Sequence, residues 1–453
     1  MCRRVASRVL IVAALLGLVT EPCAQSAAGV LWVWSGGVTA RSAVVKARVP
    51  RAGMPVRLVV IRGGDPAATP QVHDTRADDG GIAGFVLEGL EPATRYRYRA
   101  DVDGGAALTG TFRTFGDGPW SFRLAFASCA ETGSASSVFD AIRTAQPDLF
   151  IHMGDFHYED IAVADVERFR RAFDAVMASP TQSRFYRSVP IAYMWDDHDY
   201  GGNNSDGSSA SRPAALAVYR QFVPHYPLDA GAGAAIHQAF TVGRVRVIMT
   251  DERSRRTSDR SASSTASMLG ASQLQWLKAQ LSAAAGAPLV VWVNTVPWIA
   301  KAGSFSDDWG SYAAEREDLA NHIHRLGLTR RILMLSGDAH MVAIDDGTHS
   351  NYATGAGRAG PGFVVMHAAP LDRATSEKGG PYSHGVSRQQ GQFGLLQVAD
   401  DGRALKVDLS GRDKAGGLIP GMRLVLTCAE RGCEAARHDA PDPVRLPLAQ
   451  EET

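Results

Sequence analysis

The 453-residue chain carries no excess of either charge: 47 Lys and Arg residues balance 47 Asp and Glu residues. That balance excludes a global field drawing the protein to nucleic acid or to an acidic membrane, so any preference for anions must come from a local site. No nucleic-acid-binding motif is present. Cysteine is scarce, with five in the chain, and Cys2 and Cys23 fall in its opening segment. A disulfide-dense scaffold is therefore excluded. After that segment no apolar run approaches the roughly 20 residues of a membrane-spanning helix. The length accommodates about two domains and a large core.

The opening segment reads as an export signal over residues 1–28. Arg3 and Arg4 precede the apolar stretch Val9–Val19, and small residues follow around Ala24–Ala28. The apolar part is too short to span a bilayer comfortably, which predicts cleavage rather than anchoring. The Arg pair suits a twin-arginine route, but the following VAS continues it poorly, and the Sec route stays equally open. Thr20-Glu21-Pro22 before Cys23 does not make a lipobox. The expected destination is the periplasm or the extracellular space, and the expected state a monomer. The spacing LTCAERGC predicts a hairpin-closing disulfide between Cys428 and Cys433 in an oxidising compartment. Cys129 is then left alone, as a buried small hydrophobe or as a reactive or ligating thiol.

Residues 29–116 read as a small all-β sandwich. Short alternating strands (VVKARVP, PVRLVVIRG, RYRYRADVDG, ALTGTFRTF) recur between Gly, Pro and Asp turns. The segment LEGLEPATRYRYRADVDGG resembles the loop-and-strand signature of Ig/fibronectin III-like domains. Its alternation of Tyr96, Arg97, Tyr98 and Arg99 could be a binding stripe, but a half-buried strand with Tyr inward and Arg outward explains it more simply. From Phe122 the texture becomes α/β. Strands FRLAFASC, PDLFIHMGD, VPIAYMWDDHDY, VRVIMTDER, LVVWVNTVPW and RRILMLSGDAH alternate with helices such as VERFRRAFDAVMA and ASQLQWLKAQLSAAA. FVVMHAAP, GLLQVADDG and ALKVDLSG read as hairpin-like strands completing a second sheet. The catalytic domain is placed at 120–425, with a C-terminal tail at 426–453.

The chemistry is concentrated where those strands end. WDDHDY (195–200), GDFHYED (154–160) and GDAH (337–340) each follow an apolar run and pack carboxylates beside a histidine or tyrosine. Strand C-termini in an α/β domain converge on one edge, where such folds bind ligands. Cys129, Asp155, Asp196–Asp199, Asp251, Asn294 and Asp338–His340 all map there. An N-cap Asp is common after a strand, yet five polar or acidic strand ends are more than capping requires. So many carboxylates cannot all stay ionised without a counter-charge. A di- or trinuclear metal cluster supplies one, and its cations acidify water to a hydroxide nucleophile. A thiol (Cys129) and a phenol (Tyr158) favour trivalent iron, whereas oxygen-only positions favour calcium. Arg253 and Arg170 are candidate phosphate clamps.

The ordered set ASC (127–129), GDFHY (154–158), WDDHD (195–199), TDERSRR (250–256), LGASQLQWL (269–277), DDWGSYAAER (307–316) and GDAH (337–340) resembles the alkaline phosphatase D family. The likeness spans about residues 120–400, and the preceding sandwich is similar to that family's N-terminal domain. It implies a layered calcineurin-like metallophosphoesterase domain, a β-sandwich flanked by helices, hydrolysing phosphate esters with an Fe(III)–calcium centre. It further implies that Asp155 bridges the metals, that Cys129, Tyr158 and His340 bind iron, and that Asp197 and Asp338 bind calcium. Asp197 is favoured over Asp196 on register. His198 would contact phosphate or protonate the leaving group, with Asp199 orienting it. Arg253, Arg170, Asn203 and Asn204 would contact substrate. The GHxH of purple acid phosphatases is replaced here by GDAH. Two alternatives remain: a lipid-directed phosphodiesterase of phospholipase D type, and a non-catalytic surface-binding protein on a hydrolase scaffold. His152 and His157 are expected to face away from the site.

Overall fold

The computed structural model describes residues 29–63, 68–229 and 234–435. The expected export signal, and the tail beyond residue 435, lie outside the described residues. The sandwich comprises β1 (Trp32–Gly36), β2 (Ala43–Arg48), β3 (Pro55–Arg62), β4 (Gln71–Arg76), β5 (Ile82–Leu87), β6 (Arg95–Asp101) and β7 (Leu108–Arg113). Strands β4-β3-β6-β7 form one of its sheets and β1-β2-β5 the other. In β6 the period of two sorts the side chains as expected: Tyr96 and Tyr98 are buried, while Arg95, Arg97 and Arg99 face outward.

The α/β part begins with β8 (Phe122–Ala127), α1 (Val138–Thr144), β9 (Leu149–Met153), α2 (Val166–Ala178), α3 (Pro180–Ser188) and β10 (Ile191–Met194). It continues through α4 (Asp197–Tyr200), α5 (Arg212–Phe222), β11 (Gln238–Val242), β12 (Val245–Met249), α6 (Gly270–Ala283) and β13 (Leu289–Asn294). Then come α7 (Ala313–Arg325), β14 (Ile332–Ser336), β15 (Val342–Asp345), β16 (Val364–Ala368) and β17 (Val386–Ser387). Four strands close the chain: β18 (Phe393–Asp400), β19 (Leu405–Arg412), β20 (Leu418–Ala429) and β21 (Gly432–Ala435).

Two large sheets pack face to face. In the seven-stranded sheet, ordered β11-β12-β13-β14-β16-β15-β17, the strands β12, β13, β14 and β16 run parallel. Their near-continuous apolar sequences follow from burial on both faces. Val291, Val293, Leu333 and Leu335 join the core between the sheets. The alternate residues Val290, Trp292 and Met334 pack with Leu277, Leu281, Leu319 and Ile323 of α6 and α7 on the outer face. Against the other sheet lies α2, whose buried Phe169, Ala172, Phe173, Val176 and Met177 trace one helical stripe. Asp165 caps its start by accepting the Arg168 amide at 3.0 Å. Truncating Phe173, buried at 3% exposure, to Ala would cost about 3–5 kcal/mol.

Two features differ from the sequence expectation. The second large sheet has ten strands, ordered β21-β20-β19-β18-β8-β9-β10-β1-β2-β5, so it contains one of the two sheets of the N-terminal sandwich. The join is the parallel pairing of β1 with β10 at Gly36 and Ile191. One core therefore runs from Trp34 and Val45 to Phe126 and Ile151. The position-116 boundary divides sequence textures, not hydrogen-bonded sheets. At the other end, β20 runs through position 425, and Cys428 and Cys433 are disulfide-bonded across the β20–β21 hairpin. Residues 426–435 are thus sheet rather than tail.

Candidate metal centre

Strand ends from both sheets meet as the α/β reading requires. Cys129 follows β8, Asp155 follows β9, Asp196–Asp199 follow β10, and Asp338 and His340 follow β14. The two GD glycines make the approach possible. A Cβ at Gly154 would sit 2.3 Å from Cβ of Asp196, and one at Gly337 would sit 2.6 Å from the Met153 carbonyl oxygen. Cys129, Asp155 and Asp338 hold φ of 64°, 57° and 56°, a left-handed conformation unusual for residues with a side chain. Each such residue costs on the order of 1–3 kcal/mol and persists where its surroundings over-determine it.

Three donor groups form a chain: Cys129/Asp155/His340, Asp155/Asp197/His198 and Asp196/Asp197/Asp338, the ligand atoms of each lying within 4.8 Å of one another. Asp155 belongs to the first two and Asp197 to the last two. Tyr158 joins the first group, donating its hydroxyl to Asp155 Oδ2 at 2.7 Å and standing 3.2 Å from His340 Nε2. Nδ1 of His340 bonds the Ala374 carbonyl, which as acceptor leaves Nε2 free to ligate. Cys129 Sγ lies 3.4 Å from Asp155 Oδ2.

Cations fit this site. Among the described residues, Oδ2 of Asp196 and Oδ2 of Asp338 are buried without a hydrogen-bond partner, an arrangement that costs free energy unless a positive charge meets them. Burial, reinforced by neighbouring carboxylates, pushes Asp155 well above the usual carboxylate range. Burial likewise raises Asp196, and takes Asp338 up to about 7. Burial and the Asp155 charge push the Cys129 thiol up. A thiolate there requires a counter-charge. The groups separate chemically into one sulfur, phenol and imidazole pocket and one all-carboxylate pocket, linked through the neighbouring Asp155 and Asp197.

Asp196 and Asp197 both enter the cluster. Asp197 is already engaged, accepting the Asn204 amide at 2.5 Å and the His198 amide at 3.1 Å. Burial opposes its charge, yet Arg253, His198 and the Asn204 amide together outweigh burial and hold it below the usual range.

His198 stacks on Tyr158, with ring centroids 4.2 Å apart, and its Nδ1 bonds Asp160 Oδ1 at 2.6 Å. Burial would lower it, but Asp155, Asp197 and Asp160 outweigh burial and push it up to about 9. The expectation that Asp199 orients His198 is corrected. Asp199 instead accepts from the Phe156 amide at 2.8 Å, the Tyr193 hydroxyl at 2.5 Å and the Asp196 amide at 2.6 Å. Its position on α4 turns it into the sheet, where it fixes the loops carrying Asp155 and Asp196.

Arg253 is likewise corrected. It has no exposed side-chain surface; Nε bonds Asp196 at 2.5 Å, and Nη1 and Nη2 grip Asp307 at 3.1 and 2.9 Å. Its donors are committed to carboxylates, so it is a buried counter-ion rather than a phosphate clamp. Arg170 is also elsewhere: it bonds Gln221 at 3.0 Å, Asp79 at 3.3 Å and Glu167 at 2.6 Å, tying α2 to α5 and to the sandwich. Asn204 contributes its backbone to Asp197, and Asn203 is exposed. Asp251 anchors Trp195 at 2.9 Å and the Ile236 amide at 2.9 Å. His152 packs among Phe150, Phe156 and Tyr193, and His157 against Phe169 and Phe173, both facing away as expected.

Sequence reasoning misses three groups. Asp160 lies inside the GDFHYED segment and is legible there only as one more carboxylate. Arg373 sits with its guanidinium 4.0 Å over the Tyr158 ring, and Lys378 Nζ donates to Asp338 Oδ1 at 2.7 Å. Both cations come from the irregular segment between β16 and β17, which carries no periodic signal.

Fold and site together define a metal-dependent phosphoester hydrolase of the layered α/β type. The sequence pattern of the PhoD-like phosphatases matches residues 124–369, more than half of the chain, and the protein belongs to that family. Among solved structures it is similar to PhoD, at 18% identity and TM-score 0.71, covering 93% of this chain and 95% of that one. It is also similar to the purple acid phosphatase PPD1 from yellow lupin (Lupinus luteus) seeds. There the identity is 13% and the TM-score 0.61, over 91% of this chain and 78% of that one. No curated protein sequence matches it significantly.

Proposed function

We propose that this phosphoester hydrolase is an exported phosphomonoesterase and phosphodiesterase with an iron(III)–calcium centre. The observation that carries the reading is the shared position of Asp155, between a Cys129/Tyr158/His340 pocket and an Asp197/Asp338 pocket that also includes Asp196. The first donor set suits a trivalent iron and the second a hard, oxygen-bound calcium. When bound, such a cation pair supplies an acidified water and positive charge against phosphate oxygens. The Cys428–Cys433 disulfide supports an oxidising, exported setting.

The chain's own groups divide the remaining work. His198, held by Asp160 and stacked on Tyr158, is placed to hand a proton to the leaving oxygen. Arg373, paired with Glu131, and Lys378, paired with Asp338, are partly exposed cations beside the cluster, and we assign them the phosphate-facing role that the fully buried Arg253 cannot perform. The test is elemental analysis of the purified protein, followed by p-nitrophenyl phosphate, bis-p-nitrophenyl phosphate and phospholipid substrates. Iron and calcium should be present, and Asp155→Ala should abolish hydrolysis of both nitrophenyl esters. Zinc alone, or full activity in Asp155→Ala, would refute the ligand assignment. A folded protein inert toward all three substrate classes would favour the non-catalytic alternative, and action on phospholipid alone the lipid-directed one.

A further inference from the structure

The outward arginines of β6 share a groove with arginines of the helical layer. A groove of about 620 Å³ lies between the outer face of the β4-β3-β6-β7 sheet and helices α1 and α3. Arg97 and Arg99 line it from the sheet, and Arg143, Arg184 and Arg187 from the helices. Only two acids answer these five cations among the described residues: Asp101 pairs with Arg99 at 2.7 Å, while Asp140 serves both Arg143 at 3.4 Å and Arg184 at 3.7 Å. Arg97 and Arg187 have no acidic partner among the described residues. In a chain of zero net charge, such a surplus is a local anion-binding feature.

The walls are held in place. Tyr98 donates its hydroxyl to the Arg187 carbonyl at 3.1 Å, and Thr111 to the Ser188 carbonyl at 3.0 Å, so α3 is fastened to the sandwich sheet. Arg97 and Arg99 lie on one face of a strand, about 6.5–7 Å apart along it. Arg184 and Arg187 project from nearly adjacent turns of α3, about 4.5 Å apart in rise. Val59 and Ile61 form an apolar floor.

The geometry points to a second anion-binding site in this groove, holding a segment of a linear polymer that carries successive phosphate groups. Arginines from the sheet and from the helices line one concavity, which encloses a chain; a membrane surface would call for cations spread on one plane. Nucleic acid fits less well, because the groove presents no exposed aromatic ring for base stacking, Tyr96 and Tyr98 being buried. The groove adjoins the entry end of β10, where Ser188 and Val189 lead in, whereas the metal cluster follows its exit end. The two sites are therefore separate, and the groove stands whether or not the catalytic reading does.

The test uses end-labelled long-chain inorganic polyphosphate, with binding followed by fluorescence anisotropy in an Asp155→Ala background that leaves the probe uncut. The double variant Arg97→Glu/Arg187→Glu should weaken binding at least tenfold. The slope of log affinity against log salt should fall by roughly 0.7 for each phosphate that the protein no longer neutralises. In the otherwise wild-type protein the same pair should leave p-nitrophenyl phosphate hydrolysis within twofold. If the double variant fails to fold, Arg97→Gln, at an exposed position, should still weaken binding about threefold. Unchanged polyphosphate affinity in these variants would overturn the proposal, as would tighter binding to single-stranded DNA or to anionic phospholipid vesicles. Hydrolysis persisting in Asp155→Ala would refute the catalytic assignment without touching the groove.

Discussion

Replacing Arg253 with methionine should damage the fold before it affects any phosphate contact. The guanidinium is fully buried and engages Asp196 through Nε and both oxygens of Asp307 through its fork, with Asp197 3.8 Å away. Methionine matches much of its length but leaves those carboxylates without their shared counter-charge. Breaking a buried ion pair by removing one partner costs about 3–5 kcal/mol. Arg256 still pairs with Asp307 and Thr295 still donates to Asp196 at 2.8 Å, which places Arg253→Met near the lower end of that range. With a urea m-value of about 3 kcal/mol/M, a loss of about 3 kcal/mol moves the unfolding midpoint down by about 1 M. Cations bound at Asp196 and Asp197 would replace part of the missing charge, so the loss should be larger after chelation than in metal-loaded protein. An unchanged midpoint with hydrolysis reduced about a thousandfold would refute the buried counter-ion account and restore Arg253 as a substrate contact.

Asp160→Asn should lower kcat at least tenfold with little change in KM, because it loosens His198 without touching the carboxylate cluster. Asp160 is one of the charges raising His198, so its loss lowers the His198 pKa. A leaving-group acid works while protonated, so the alkaline limb of the kcat–pH profile should move to lower pH; an unmoved limb would argue against that role. The double variant Cys428→Ser/Cys433→Ser should lose about 2 kcal/mol in urea unfolding, from a short loop with sequence separation 5. No change in midpoint would mean that the β20–β21 hairpin is held by its strand pairing alone.

Legibility in the sequence differs between elements and contacts. The apolar runs of β12, β13 and β14, and the 3.6-residue stripe of α2, follow from burial patterns that a sequence displays directly. So does the position of each acid after a strand, because strand direction sends the chain's exits to one edge. The α3 helix is harder to see; its Ser179-Pro180 start is a recognisable cap, but its nine residues are short and polar. Partner choice is the hidden layer. Asp196, Asp197, Asp199 and Asp160 share one side-chain type, yet one meets a buried Arg, one a backbone amide, one a tyrosine and one a histidine. Those differences depend on rotations about α4 and on loops that carry no period.

The sequence by itself determined the class of chemistry. Charge placed at the ends of buried strands is expensive enough that it implies a cation, and Cys129 and Tyr158 add a thiol and a phenol to the carboxylate donors. It also determined which face of each strand and helix is apolar, since that is written in the period of the residues. Only the tertiary structure decided that Arg253 is a counter-ion, that Asp160 rather than Asp199 holds His198, and that Arg170 ties α2 to the sandwich. It alone joined that sandwich to the catalytic sheet through β1 and β10, and brought Arg97 and Arg187 to one groove. The physical reason is common to all of these. Burial is a property of one residue in its local pattern, whereas an ion pair or hydrogen bond needs two groups that the chain brings together from far apart.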